Sequence, residues 1–318
     1  MIRGGAGVFY DRTGPSPIGD LLHFNGVNLL RFIMNNPIIQ NPGNPTPPPI
    51  NVPTSVVTLD PGARIPYSVH YSAGVERQVT QESTVSATFV GSRSIDAFRS
   101  IDANAPPPPN YSSPPNPNLG QVREMQSKGY QKSAALELTF RGKPSKWFSG
   151  QAQYTFGKTY NNTSGITYFP GNSYNPAGDW ALSDNDRRHK FDLLASSQPT
   201  RYFTVGAALS LYSGKPVNIT TGADNNHDGV VNDRSGGVPR NTMPGPGMIE
   251  SDINLAHDFV LSKSRKEART LTVALNSFNV LNHVNDMTYI GVITSPFFGH
   301  AVAALPPRRM QLDVQFKF

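Results

Sequence analysis

The residues best suited to bind an ion lie in one short segment, DNNHDGVVND. Its oxygen-bearing candidates are Asp224, Asn226, Asp228 and Asp233. The first three stand at positions one, three and five of a calcium-loop spacing, and Gly229 stands at position six, where such loops turn sharply. Ser235 occupies position twelve, where a bidentate glutamate is expected. The spacing predicts a calcium site, and the alternative is a loop whose Asx and glycine residues form turns among themselves.

A second polar segment, DNDRRHK, could indicate catalysis by His189 together with Asp186 or Asp192. In a strand, Asp186 and His189 would fall on opposite faces. No nucleophile motif such as GxSxG accompanies them. We therefore interpret the segment as a network of charges and hydrogen bonds inside a barrel lumen. The sequence predicts no catalytic residue and no enzyme activity.

The composition excludes several classes of protein. The 318 residues include no cysteine, which excludes disulfides and thiolate chemistry. No stretch approaches the run of about 18 apolar residues that a membrane helix needs. The formal net charge is +6, but the basic residues form no long run, so nucleic-acid binding is not predicted.

The elements that must position these residues are strands of alternating polarity. The last ten residues, RMQLDVQFKF, place Met310, Leu312, Val314, Phe316 and Phe318 on one face and polar side chains on the other. A period of two gives a strand one apolar face and one polar face. Similar alternation predicts about ten strands in all, the others near 2–10, 67–79, 84–89, 121–141, 148–158, 189–196, 203–211, 253–261 and 271–275.

Short turns and long loops join these strands alternately. Outer-membrane barrels have short periplasmic turns and long extracellular loops, whereas a soluble sandwich has no reason to keep this asymmetry. We therefore predict an all-β fold, an antiparallel transmembrane β-barrel of which this chain forms about ten C-terminal strands. The loop over 11–64 is expected to lack regular structure. The polar face, toward the lumen, is predicted to carry Glu137, Arg141, Asp192, Asp313 and Lys317.

Seven segments resemble, in the correct order, the C-terminal part of a TonB-dependent outer-membrane receptor of the Oar-like type. They are IRGGAGVFYDR (2–12), YSVHYSAGVERQV (67–79), SATFVGSRS (86–94), YTFGKTYNN (154–162), DNDRRHKFDLLAS (184–196), YSGKPVNITTG (212–222) and RRMQLDVQFKF (308–318). Receptors of this family have a 22-stranded barrel plugged by an N-terminal domain. The resemblance implies a place in the cell outer membrane and a role in transport. Substrates in the family include siderophores, cobalamin and glycans, and Oar-like members are linked to export or surface functions.

The resemblance covers only the last part of that architecture. Met1 is followed at once by strand-like sequence without a signal-peptide pattern, so we expect a fragment that lacks the plug and the earlier strands. The implied partners are outer-membrane lipid, the missing plug and strands, the TonB complex through that plug, and the barrel assembly machinery through Phe318. The alternatives are a calcium-stabilised surface adhesin or structural β module, and a barrel-borne hydrolase.

Overall fold

The computed structural model of the protein describes residues 1–33, 52–263 and 268–317. Strands dominate this part of the chain. In order, its elements are β1 (Ile2–Tyr10), α1 (Pro15–His23), β2 (Arg31–Phe32), β3 (Thr54–Leu59), β4 (Tyr67–Thr80), β5 (Ser83–Asp102), β6 (Leu119–Ser145), β7 (Phe148–Asn161), a 3₁₀ turn (Pro176–Asp179), β8 (Ala181–Leu182), β9 (His189–Thr200), β10 (Phe203–Tyr212), β11 (Pro216–Val217), β12 (Met243–Pro244), β13 (Met248–Lys263), β14 (Ala268–Phe278), β15 (Asp286–Tyr289), β16 (Ala301–Ala304) and β17 (Arg309–Lys317).

Ten strands form one continuous antiparallel path through the main sheet. Their order is β1-β4-β5-β6-β7-β9-β10-β13-β14-β17, so each long strand pairs with the next long strand along the chain. Within the described residues β1 pairs with β4 alone and β17 with β14 alone. The sheet is therefore open. The predicted all-β class and antiparallel sheet are confirmed.

The strand register gathers apolar residues into rows on one face of the sheet. Val75 lies opposite Ala87, which lies opposite Leu138 on β6. The row continues through Tyr154 on β7 and Phe191 on β9. Directly opposed residues share one face of a sheet. We call this side of the sheet the apolar face.

The apolar face is exposed, and little hydrophobic surface is buried elsewhere. Leu138 is 43% exposed and Leu312 is 66% exposed. The fully buried hydrophobic residues of the described part are Val57, Ala105, Met125 and Ala181. In water an apolar surface of this extent would promote aggregation, whereas in a bilayer it would contact the hydrocarbon chains of lipid.

The opposite side of the sheet is polar. Ser86 lies opposite Thr139, and the row continues through Gln153, Asp192 and Ser210. The five side chains predicted for this polar face all lie on it by register, namely Glu137, Arg141, Asp192, Asp313 and Lys317. The sequence prediction of the two faces is therefore confirmed.

The connections between long strands differ sharply at the two ends of the sheet. At one end, residues 81–82, 146–147 and 201–202 make two-residue turns. At the other end, residues 103–118, 162–188, 213–247 and 279–308 separate successive long strands. The predicted alternation is confirmed at these connections; the turn between β13 and β14 includes residues 264–267, which lie outside the described residues.

The prediction of an irregular segment over 11–64 is wrong in part. The segment contains α1, and β3 pairs in parallel with the start of β6, with Leu59 opposite Met125. The reason is that β6 extends beyond its pairing with β7, which leaves an edge that the β-branched stretch of β3 can occupy. Val57 and Met125 are buried at this junction. No described helix is long and apolar enough to span a membrane.

Two sequence predictions fall on residues that are not described. Much of the proline-rich stretch between α1 and β3 lies within 34–51, outside the described residues. Phe318, predicted to signal barrel assembly, also lies outside them. Both stay predictions.

Candidate functional site

Three long loops enclose a cavity of about 700 Å³ at the long-loop end of the sheet. They are the loops that follow β7, β10 and β14. We call this cavity the vestibule. Its lining includes two tyrosines, Tyr168 and Tyr289. The charged lining residues are three basic ones, Arg187, Lys215 and Arg240, and two acidic ones, Asp184 and Asp286. A cavity of this size can hold a small ligand.

Arg240 ties two of the loops together. Its side chain is 1% exposed and donates hydrogen bonds to the backbone oxygen of Asn161 and to Ser164 Oγ, both at 3.0 Å. It also bonds to Asn161 Oδ1, and its Nη1 lies 3.8 Å from Asp184 Oδ1. The guanidinium lies 5.2 Å from the centre of the Tyr168 ring. Because its donors are directed into the protein, Arg240 supports the wall of the vestibule.

The other two cations of the vestibule bond only to uncharged groups. Arg187 donates to the backbone oxygen of Ser213 at 2.6 Å, and Lys215 donates to Asn185 Oδ1 at 3.0 Å. In the described part of the chain no carboxylate lies within 4.0 Å of either cation. Both charges are therefore available to an anionic group on a ligand.

The segment predicted to bind calcium forms a tight loop, and its residues His227, Asp228 and Gly229 line a second, smaller cavity next to the start of β6. The Asp224 carboxylate accepts the N–H groups of Asp228 at 3.1 Å and Gly229 at 3.0 Å. Gly229 has a φ of +80°, which glycine adopts without steric cost. Asp233 Oδ2 accepts the N–H of Asn226 at 3.3 Å, and the Asn226 amide contacts Asp228 Oδ2 at 3.2 Å. The structure thus brings the four predicted residues together.

Burial and mutual repulsion disfavour the charged forms of these carboxyl groups. Desolvation, followed by the charges of Asp224 and Asp233, raises the pKa of Asp228 to about 7. Desolvation also raises the pKa of Asp233. Among residues 1–33, 52–263 and 268–317, no three acidic or histidine side chains are arranged to hold a metal ion. A cation here would therefore need the Asn226 amide oxygen or backbone oxygens as further ligands.

The structure places His189 and Asp192 on opposite sides of the sheet, and Asp186, which precedes β9, accepts the N–H of Thr159 at 2.6 Å. His189 lies on the apolar face, where its Nδ1 is 2.7 Å from Tyr154 Oη. Asp192 lies on the polar face and accepts hydrogen bonds from Ser210 at 2.8 Å and Tyr212 at 2.6 Å. The predicted hydrogen-bond network on the polar face is present around Asp192, whereas the placement of His189 in it is wrong. The parity of β9 explains the error, because His189 shares a face with Phe191.

An ion pair that was not predicted from the sequence joins Arg234 to Asp179. Asp179, in the 3₁₀ turn, is 1% exposed, and Arg234 follows the calcium-like segment directly. The pair fastens the loop after β10 to the loop after β7. Fifty-five residues separate the two partners, and no local pattern connects them.

Solved structures with a similar fold include an outer-membrane transporter and two receptors. The outer membrane transporter YddB from Escherichia coli is 14% identical, with a TM-score of 0.59 over 85% of this chain and 35% of that one. A variant of the ferric enterobactin receptor PfeA from Pseudomonas aeruginosa is 13% identical, with a TM-score of 0.58 over 99% of this chain and 38% of that one. The siderophore receptor PiuA from Acinetobacter baumannii is 14% identical, with a TM-score of 0.50 over 80% and 29%. This chain spans less than two fifths of the length of each.

Comparison at the level of sequence gives the family. No curated protein matches the chain. The family described as "Outer membrane beta barrel domain" matches residues 1–236. The matched region includes the strands from β1 to β10 and most of the loop that contributes Lys215. The chain belongs to the outer membrane β-barrel domain family, and it lies in the outer membrane.

Proposed function

We propose that this chain forms part of the wall of a larger TonB-dependent receptor of the Oar-like type. In this arrangement the free edges of β1 and β17 pair with further strands of the same barrel. The long loops face the outside, and the polar face surrounds a plug. The complete receptor takes up a substrate that first binds in the vestibule.

The observation that carries this proposal is the open sheet of ten long strands with one exposed apolar face and one polar face. An unpaired edge is costly in lipid because its N–H and C=O groups find no partner there. Pairing with further strands removes that cost. The exposed apolar face also favours a membrane wall over a soluble surface module. The ferric enterobactin and siderophore receptors among the structural neighbours support a metal complex as the substrate class.

Uptake of ferric siderophores in the bacterium that encodes this chain tests the proposal. Deleting its coding sequence is expected to abolish the uptake of at least one labelled ferric siderophore, and disrupting TonB is expected to abolish the same uptake. Arg187 and Lys215 are each expected to make a charge-assisted hydrogen bond to the ferric siderophore. Losing both in R187A/K215A should therefore weaken the apparent affinity for the siderophore by about tenfold or more. The matched control is K143A/K146A at the short-turn end. Uptake that survives both the deletion and the loss of TonB would refute a transport role.

We also propose that Asp224, Asn226, Asp228 and Asp233 bind one calcium ion that holds the loop formed by residues 224–233. Burial first, and then the charges of Asp224 and Asp233, raise the pKa of Asp228, so the loop disfavours an ionised Asp228 without a counter-charge. A divalent cation would supply that counter-charge. Carboxylate and amide oxygens are the ligands that calcium prefers.

Calcium binding to this loop is expected to depend on pH. The pKa of Asp228 is raised to about 7 in the folded loop, so between about pH 4 and 7 the folded chain holds a proton that the unfolded chain has lost. Without calcium, the stability of the loop therefore falls as the pH rises through that range. Calcium requires the ionised form, so its affinity should be about 30-fold lower at pH 5.5 than at pH 8.

Calorimetric titration with calcium chloride checks this expectation. D228N should bind weakly and with little pH dependence, while D286N, in the loop after β14, should behave like the unmodified chain. Identical titrations for D228N and the unmodified chain would exclude this loop as the site.

A further inference from the structure

Basic side chains gather at one end of the apolar face. We call this group the rim patch. It consists of Arg93, Lys132, Lys158 and Arg188, contributed by β5, β6, β7 and the residue before β9. The patch lies at the long-loop end, just beyond the apolar row that contains Phe89, Leu136 and Phe156. Arg93 and Lys132 are exposed.

The register brings like charges together in this patch. Arg93 lies directly opposite Lys132. Lys132 pairs with Tyr160, which places Lys158, two residues away on β7, diagonal to Lys132. Like charges in direct cross-strand register are destabilising. Within the described residues no carboxylate lies within 4.0 Å of any of the four cations. The arrangement lacks a counter-charge from this part of the chain.

The patch lies at the depth where an apolar barrel wall meets lipid headgroups. On β6 the outward residues from Phe140 to Ala134 are apolar, and these span about 20 Å along the strand before Lys132 follows. The apolar band of a membrane barrel is about 25 Å tall. Lys132 is the first charged side chain to follow this apolar run on the outward side of β6.

Aromatic side chains mark the same depth. The Trp180 ring lies 5.4 Å from the Tyr130 ring and 6.0 Å from the Tyr160 ring, measured between centres. Lys158 Nζ lies 4.9 Å from the centre of Tyr160, and the Arg188 guanidinium lies 5.7 Å from the centre of Phe156. Tryptophan and tyrosine favour the interface between hydrocarbon and headgroups. The cations that they contact are held at that interface.

The charge is confined to one sector of the wall. The outward residues nearest the long loops on β10, β13 and β17 are Leu211, Ile249 and Met310. None of these three is charged. A general attraction to the membrane surface would not require four cations on adjacent strands, so the arrangement fits one bound headgroup with more than one negative charge.

We propose that the rim patch binds the phosphorylated headgroup of an outer-leaflet glycolipid. The phosphates lie between Arg93, Lys132 and Lys158, where they neutralise the like charges, and the acyl chains lie along the apolar face below. Arg and Lys supply the charge-assisted hydrogen bonds that phosphate accepts. This inference rests on the proposed orientation, with the long loops outside, and not on transport.

Binding of lipid A in nonionic detergent micelles tests this inference. The chain has two tryptophans, Trp147 and Trp180, so W147F leaves Trp180 beside the rim patch as the reporter. In that background lipid A is expected to change Trp180 fluorescence in a saturable and salt-sensitive way. R93Q/K132Q/K158Q should weaken lipid A binding roughly 100-fold, because each cation near an anionic headgroup contributes about fivefold and the three contributions multiply. Uptake assays are not involved, so failure here leaves the proposed transport role untouched.

Two variants separate this site from general effects of charge and folding. R77Q/K143Q/K146Q removes the same charge from the short-turn end and should bind like the unmodified chain. R93K/K132R/K158R keeps the charge and should retain binding, which distinguishes a lost site from a misfolded wall. Equal binding by R93Q/K132Q/K158Q and the unmodified chain would overturn the inference. So would an equal response to phosphatidylethanolamine micelles, or to inorganic phosphate alone, because either would show that the phosphorylated glycolipid is not what the patch selects.

Discussion

Replacing Leu138 with lysine is expected to destabilise the folded chain in a bilayer, lowering its free energy of unfolding by about 2–4 kcal/mol. Leu138 lies on the apolar face between Ala87 and Tyr154, near the middle of the apolar part of β6. Lipid would surround the new charge there. The adjacent residue provides a matched control, because Thr139 lies on the polar face between Ser86 and Gln153. The variant T139K should change the folding free energy by less than about 1 kcal/mol.

Urea titration of the protein in phospholipid vesicles measures this difference, with the folded fraction read from gel mobility. The comparison concerns two neighbouring positions on one strand, so strand propensity and distance from the turns are nearly the same. Equal losses from L138K and T139K would mean that the two faces of β6 meet similar surroundings. That result would contradict a lipid-facing apolar face.

The variant R240A is expected to destabilise the loops around the vestibule by about 3–5 kcal/mol. Arg240 is buried and donates to Ser164 and Asn161. Each hydrogen bond to a charged group contributes about 1.5–3 kcal/mol, and removing the donor leaves buried acceptors without a partner. Lysine in its place keeps the charge but cannot reproduce the several directed donors. R240K should therefore restore only part of the stability.

Amide hydrogen exchange measures this effect locally. Exchange is expected to accelerate in residues 162–168 and near Asn241, while the amides of β6 and β7 within the sheet stay protected. K215A, which removes an exposed cation of the same vestibule, should leave these rates unchanged. Unaltered exchange in R240A would show that the loops are held together by other contacts, such as the pair of Arg234 with Asp179.

The sheet was predictable from sequence because its pattern is local. Alternation within single strands identifies both faces, and the predicted strand over 121–141 lies within β6. The parallel pairing of β3 with β6 was not predictable in this way. It depends on an unpaired edge of β6, which exists because β6 begins well before the part that pairs with β7. The length of a strand is set by its tertiary pairing, so a local sequence pattern does not reveal such an edge.

The candidate sites also differ in whether local sequence predicts them. Asp224, Asn226, Asp228 and Asp233 lie within ten residues, so their spacing alone predicts that they meet. The vestibule is formed by three loops far apart in sequence, and nothing near Arg240 indicates that it bonds to Asn161, 79 residues away. The wrong prediction for His189 has a different cause. Its charged neighbours in sequence suggested the polar face, but His189 is the first residue of β9, and the alternation of that strand places it on the apolar face with Phe191.

The unequal connections at the two ends of the sheet constrain how relatives of this chain can differ in length. Doubling a flexible loop costs only about 0.6 kcal/mol of closure free energy, so insertions between β5 and β6 or between β10 and β13 disturb the wall little. A residue added to the two-residue turn at 81–82 would instead shift the pairing of β4 with β5. Such a shift exchanges the apolar and polar faces of a strand. Length variation among homologues, and the tolerance for an inserted epitope, should therefore concentrate at the long-loop end.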